Sequence, residues 1–472
     1  MSRVIVIGGG LSGLATAFVL QRLAAKAGRE VDVTVLEAEG RAGGKIRTVA
    51  RDGFSCEAGP AGFLDKEPRT FELCEALGLS SALLPASDAF ENRYLFVRDH
   101  LEPVPMHPVK LARSQLLPWA GKLRLLGEPF VPRRKEQGDE SIAGFVRRRI
   151  GPEGLRWLID PMQSGIYAGD PERLSVRSCF PRVVEVEEQY GSLVRGMVRL
   201  QLQRRRERRG AKGGKQGVAG AGPTGRLTTL GAGMQQLTDA LTAALGPAVR
   251  CGVRVTRLER VGPRWQVGGP GFAQALEAEL VILAGPAYAA AELLHALEPT
   301  LAGELAAIEY ASLNVACLGY RREDVPHPLD GFGFLVPRGQ GMRLLGALFS
   351  SSIFPREAPS GQVLLRVMVG GARDGALAAL DDDTLLGLLR EDLARSIGVR
   401  AAPSFVTLFR WPQAIPQYNV GHAARLERLD ARVAQLPGLL LTGNAYRGIG
   451  VNDCARNAWP VAERALELLA RA

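Results

Sequence analysis

Histidine is scarce in this chain and cysteine never comes in close pairs, and each shortage excludes a class of chemistry. The five histidines, His100, His107, His295, His327 and His422, are scattered over 472 residues, with no pair at metal-ligand spacing and no Ser-His-Asp set. The six cysteines, Cys56, Cys74, Cys179, Cys251, Cys317 and Cys454, offer no redox pair or zinc knuckle, which suits a reducing cytoplasm. A long apolar run is also missing. The nearest, residues 280–294, is broken by Gly285, Pro286 and Glu292, so no segment reads as spanning a bilayer. The first strand begins within three residues, which leaves no room for a secretion signal. Zinc spacings, aromatic nucleic-acid motifs and helix-turn-helix cues are absent too. The net charge of +10 therefore points to anionic lipid or an anionic substrate, and not to nucleic acid. What remains is an ordinary folded composition, 46% hydrophobic and 23% charged, in a chain long enough for two or three domains.

The opening run is the strongest signal present. Val4, Ile5, Val6 and Ile7 read as a buried strand that passes into Gly8-Gly9-Gly10-Leu11-Ser12-Gly13 and then a helix. Gly8 permits the tight turn, Gly10 lets backbone approach a pyrophosphate, and Gly13 lets the helix pack on the strand. A second strand over 31–36 ends at Glu37, placed to accept from a ribose hydroxyl, with Ala38 beside it. Arg41, Gly43, Gly44 and Lys45 follow as a second phosphate element, which favours FAD over NAD. Near the other end, an apolar strand over 439–441 runs into Gly443, Asn444, Gly450, Val451 and Asn452 and then a helix whose first amides could face a flavin pyrimidine. Gly220-Ala221-Gly222-Pro223-Thr224-Gly225 also matches the dinucleotide fingerprint. No strand precedes it, and residues 204–227 read as a flexible basic loop.

The glycine elements resemble the flavin-containing amine oxidase superfamily. Five phrases sharpen the resemblance to its oxygen-dependent protoporphyrinogen oxidases: Asn92-Arg93-Tyr94, residues 165–170 with Leu174-Ser175, residues 330–337, residues 415–422 and residues 442–454. The resemblance implies an α/β fold: a Rossmann-like, doubly wound FAD domain in discontinuous pieces (1–90, 228–290 and 435–472), a mixed-sheet substrate domain (291–434) and an α-helical domain (91–203). It adds Gly59, Pro60, Ala61, Gly62 and Trp411 to the flavin contacts, and Val255, on a strand expected over 250–258, beside the adenosine. It implies that Arg93 forks onto a propionate, that Phe332 and Leu335 clamp a macrocycle, that Met162 and Met368 are apolar walls, and that Gly165 acts through its backbone carbonyl. Flavin N5 would take the hydride, with no side-chain base, and oxygen would reoxidise the flavin. Coproporphyrinogen oxidation, another amine oxidase or desaturase activity, and a non-catalytic flavin protein stay open as alternatives. The stretch 110–130, basic and leucine-rich but interrupted by Pro118 and Pro129, fits either an internal helical subdomain or a lipid-facing surface. The family tips it toward the surface, and hence toward a cytoplasmic protein peripheral on the membrane. A homodimer is left open.

Overall fold

The computed structural model describes residues 2–87, 92–105, 111, 113–134, 138–210 and 225–471. Its nucleotide half is a five-stranded parallel sheet in the order Val249–Arg250, Val31–Leu36, Ser2–Ile7, Leu280–Leu283 and Leu439–Leu441. Ser2–Ile7 lies between Val31–Leu36 and Leu280–Leu283, pairing Val4 with Val33 and with Leu280. The order of connections reverses there, which opens a crevice at the strand ends. Both faces of the sheet are covered, so its strands are apolar without alternation. Helices Leu11–Lys26, Gln235–Leu245 and Val451–Arg471 pack on one face. Helices Ala287–Leu294, Pro299–Ala306 and His422–Val433 pack on the other, although they lie mostly within the segment expected to bind substrate.

The second half is a seven-stranded sheet, ordered Phe405–Pro416, Tyr310–Arg321, Gln362–Gly370, Leu344–Leu348, Gly331–Leu335, Asn92–Val97 and His100–Pro103. One face buries Leu365, Val367, Phe334 and Phe349 against helix Asp382–Ile397. The opposite face turns toward the nucleotide half and carries Leu364, Met368 and Trp411.

Three expectations change. Residues 92–103 are two strands and not part of a helical domain: Leu95, Phe96 and Val97 are buried on both faces of the sheet edge. The strand expected over 250–258 ends at Arg250, because Gly252 takes φ +73° and the chain turns to run beside the loop after Leu36. There the Gly252 and Val253 amides donate to the Glu39 and Glu37 carbonyls, both at 2.8 Å. The loop expected over 204–227 begins as helix, since Leu193–Gly210 extends into it, and its last residue opens strand Leu227–Leu230. Arginine and glutamine are good helix formers, whatever their polarity. Residues 211–224, which hold most of the rejected glycine match, lie outside the described residues. The described part of the stretch 110–130 is interrupted at Pro118 and Pro129, as expected. It folds as helix Trp119–Leu126, capped by Pro118, and a turn Glu128–Phe130, with Leu116 and Leu117 buried.

Candidate active site

The first glycine turn is dictated by lack of room. Gly8 sits at φ +114°, and a Cβ there would stand 2.7 Å from the Gly285 nitrogen. A Cβ on Gly13 would collide with the Gly8 carbonyl oxygen. Gly10 is the opposite case: nothing lies within 4 Å of the Cβ position it lacks, and as N-cap of Leu11–Lys26 it offers no side-chain bond to the helix amides. Those amides and that open space form a cradle for a phosphate. Leu11 and Ser12 are buried in the helix start. Gly43 bridges to Gly10, and its amide donates to the Gly9 carbonyl at 2.7 Å, so the two glycine elements form one cleft.

Glu37 is buried and accepts from the Gly9 amide at 2.7 Å and the Glu39 amide at 2.8 Å. Each oxygen keeps a free lone pair for a hydroxyl. Ala38 is half-buried next to it, and Val255 is half-buried in the extended chain beyond Gly252. Arg41 is folded onto its own turn, donating to the carbonyls of Ala42 at 2.8 Å and Gly44 at 2.6 Å. Lys45 is the freer cation. Its ammonium stands 5.5 Å from the Tyr310 ring centre, and burial pulls its pKa down to about 8.

Past the cleft, Gly59, Pro60, Ala61 and Gly62 run between the two halves. A Cβ on Gly59 would collide with the Lys45 carbonyl, and one on Gly62 would lie 2.5 Å from that of Thr228. Trp411 Nε1 donates to the Ala58 carbonyl at 2.8 Å. At the C-terminal end, Gly443 takes φ +136° opposite Gly285. The Asn444 carbonyl accepts from the Tyr418 hydroxyl at 2.6 Å, and that oxygen accepts from the Gly448 amide at 2.9 Å. The His422 ring stacks on Tyr418 at 4.1 Å, and burial drives its pKa down to about 4, so it packs there as a neutral ring. The Gly450 amide meets Asp453, Val451 is buried, and Asn452 is tied to Thr70 and the Leu64 carbonyl, both at 2.8 Å. Asn452 thus holds the helix start in place through its side chain.

Among the residues expected to meet substrate, the structure draws distant ones together. A Cβ on Gly165 would lie 3.1 Å from Leu335 Cδ2. Gly346 pairs with Leu335 on one side and Met368 on the other, and Met368 packs with Trp411 and Ala168. Phe332 and Leu335 stand three residues apart on one strand. They pack in separate clusters, Phe332 with Phe354 and Leu335 with Leu95, so the two do not close on one another; facing Leu335 is helix Asp160–Tyr167, through Gly165. That helix is pinned at both ends. Asp160 is bound by Arg373 and by Gln163 Nε2 at 3.1 Å, Arg338 reaches Asp170 at 2.8 Å, and Gln417 Nε2 donates to the Tyr167 carbonyl at 2.9 Å. Arg93 is exposed, its guanidinium 5.5 Å above the Phe332 ring. Phe334 points the other way, into the core beside Phe349. Sequence reasoning passed over Tyr310, Gly285 and Arg366. Only Arg366 had a signal, as a lone charge in the apolar strand Gln362–Gly370.

The family model of the flavin-containing amine oxidoreductases matches residues 11–466. The chain belongs to this family. FAD is its cofactor, and the open cradle at Gly10 fits the pyrophosphate such a cofactor carries. The chain is 32% identical over 461 residues to a coproporphyrinogen III oxidase of Bacillus subtilis (strain 168), covering 96% of this chain and 95% of that protein. It is 32% identical over 494 residues to a mitochondrial protoporphyrinogen oxidase of Nicotiana tabacum, covering 99% and 95%. A crystal structure named "Putative protoporphyrinogen oxidase from Exiguobacterium sp. 255-15" superposes with TM-score 0.83 at 26% identity, over 99% of each chain. The resemblance read from the motifs holds, as do the family's fold and an oxidoreductase role.

Proposed function

We propose that the protein oxidises protoporphyrinogen IX to protoporphyrin IX in haem biosynthesis, by hydride transfer to the flavin and return of the electrons to oxygen. The observation that carries this reading is the apolar wall of Gly165, Leu335 and Met368. It adjoins Trp411 and residues 59–62, the loop expected to meet the flavin (the flavin loop), and has the exposed guanidinium of Arg93 above Phe332 on the same sheet. A reduced macrocycle with propionate arms has that distribution of apolar body and anionic edge. Bound FAD supplies the hydride acceptor. The protein's share is orientation and exclusion of water: Arg93 offers a planar fork to one carboxylate, the wall holds the ring, and the pinned helix aims the Gly165 carbonyl at the ring nitrogens.

A second reading, coproporphyrinogen III as substrate, is supported by the Bacillus subtilis relative. Supplying each porphyrinogen in air and separating the products by chromatography tests both. Faster conversion of protoporphyrinogen is expected. Faster conversion of coproporphyrinogen would move the assignment to the second reading, and no porphyrin from either would overturn both.

A cytoplasmic protein peripheral on a membrane is part of the same proposal. Among the described residues no helix is long and apolar enough to cross a membrane. Trp119 is 76% exposed and Phe130 84% exposed, with Leu123 and Leu126 between them and Lys122 alongside. A buried network holds this edge: Glu128 accepts from Ser192 Oγ at 2.6 Å and from the Leu193 amide at 2.9 Å, and pairs with Arg149 at 3.3 Å. An apolar face kept so exposed beside basic groups suits an anionic lipid surface.

A further inference from the structure

Arg366 sits in strand Gln362–Gly370 on the face that carries Leu364 and Met368, where it is the single charged residue of that strand and is itself buried. A buried guanidinium is costly unless its donors are satisfied. Arg366 spends its donors on backbone: Nε donates to the Glu57 carbonyl at 3.0 Å and Nη2 to the Gly59 carbonyl. The carbonyl between them, Ala58, is taken by Trp411 Nε1 at 2.8 Å. Three consecutive carbonyls of the segment entering the flavin loop are thus gripped by two side chains of the substrate sheet.

The surroundings concentrate charge on the same point. The Glu57 carboxylate accepts from the Met234 amide at 2.9 Å and from Thr48 Oγ1, which ties the loop to the start of helix Gln235–Leu245. Glu357 is buried near Glu57, with Oε1 lacking a hydrogen-bond partner, and Arg356 donates to the Leu230 and Gly231 carbonyls. Burial and the neighbouring Glu57 push the Glu357 pKa up to about 8, the two arginines opposing. The Arg356 and Arg366 guanidiniums thus stand near both carboxyl groups beneath residues 57–59.

We propose that Arg366 is a positioning residue for the flavin. By fixing the Glu57 and Gly59 carbonyls it sets the distance between the flavin loop and Met368, two residues along its own strand, so that cofactor and substrate wall are placed by one side chain. The proposal rests on FAD as cofactor and not on which porphyrinogen is used.

The test uses purified holoenzyme, with the visible circular dichroism of the bound flavin and its dissociation constant as readouts. Arg366→Met is expected to weaken FAD binding tenfold or more and to alter the visible bands. Arg366→Lys should fall between, since an ammonium is a point charge where the guanidinium forks to two carbonyls. Leu389→Ala, in the core on the opposite face of the same sheet, serves as control: it should lower thermal stability and leave flavin binding and bands unchanged. Wild-type bands with a dissociation constant within twofold in folded Arg366→Met would overturn the proposal. So would Leu389→Ala shifting the bands as far, since loss of stability alone would then explain the effect. Should Arg366→Met not fold, Arg366→Lys and Trp411→Phe carry the test, and wild-type bands in both overturn it.

Discussion

The flavin end and the substrate end of this molecule are built by different means. At the flavin end the backbone decides: Gly8 and Gly13 are where they are because a Cβ would meet main-chain atoms. At the substrate end side chains decide, and they come from strand Asn92–Val97, helix Asp160–Tyr167 and strands Gly331–Leu335 and Gln362–Gly370, far apart in sequence. A site made from backbone is local and tolerates no change at a few positions. One made from side chains is spread over the chain and should lose function by degrees.

The sharpest way to break that contrast is inside the first turn. Gly13→Ala should give little folded protein, because the collision is with a carbonyl that cannot move, and the cost exceeds the roughly 1 to 3 kcal/mol of an ordinary overpacked core. Gly10→Val should fold and hold no flavin, since its side chain would enter open space where the pyrophosphate belongs. Flavin absorbance of the two purified variants checks this, and a Gly10→Val protein with stoichiometric FAD would contradict it.

Next in size comes Arg93. The family resemblance implies a propionate anchor, and the guanidinium stands exposed above Phe332 instead of desolvated in a pocket. Arg93→Ala should therefore raise KM about tenfold, roughly 1.4 kcal/mol, with kcat and flavin content near wild type. Lysine should recover part of the loss. Steady-state kinetics normalised to bound flavin decides it, and an unchanged KM would remove Arg93 from the site.

A smaller effect links charge to the cleft. In the flavin-free protein burial lowers the Lys45 pKa from 10.5 to about 8. Between those values the folded state has lost a proton that the unfolded state keeps, so this group's contribution to stability rises with pH across pH 8 to 10.5. A pyrophosphate in the cleft restores the charge. FAD binding near pH 9 should then take up a fraction of one proton and weaken as pH rises above about 8. Calorimetry in buffers of different ionisation enthalpy measures the uptake, and equal uptake by Lys45→Met would rule Lys45 out.

The least effect on catalysis is expected at the exposed edge. Leu123→Glu with Phe130→Glu should abolish binding to vesicles containing anionic lipid and change kcat less than twofold. Vesicle sedimentation reads the first and the porphyrin assay the second. Unchanged sedimentation would leave that edge without the proposed role.

The same contrast explains what could be read from sequence. The glycine turns, the strands beside them and the C-terminal strand and helix follow local rules, so those elements of the nucleotide half were legible. Strand Asn92–Val97 was not, because its parallel partner Gly331–Leu335 lies over two hundred residues on. The turn at Gly252 hid behind alternating valines, and the helical character of 204–210, the end of helix Leu193–Gly210, behind its arginines. Arg366 was passed over in its apolar strand, because its use depends on carbonyls three hundred residues away.

The central claim is that a flavin held by backbone meets a porphyrinogen held by side chains. Anaerobic mixing of the yellow holoenzyme with protoporphyrinogen IX, followed by air, tests it most directly. The account predicts bleaching of the flavin band on mixing, its return with oxygen, and accumulation of protoporphyrin IX. A flavin that stays oxidised in the presence of excess protoporphyrinogen and coproporphyrinogen would contradict it.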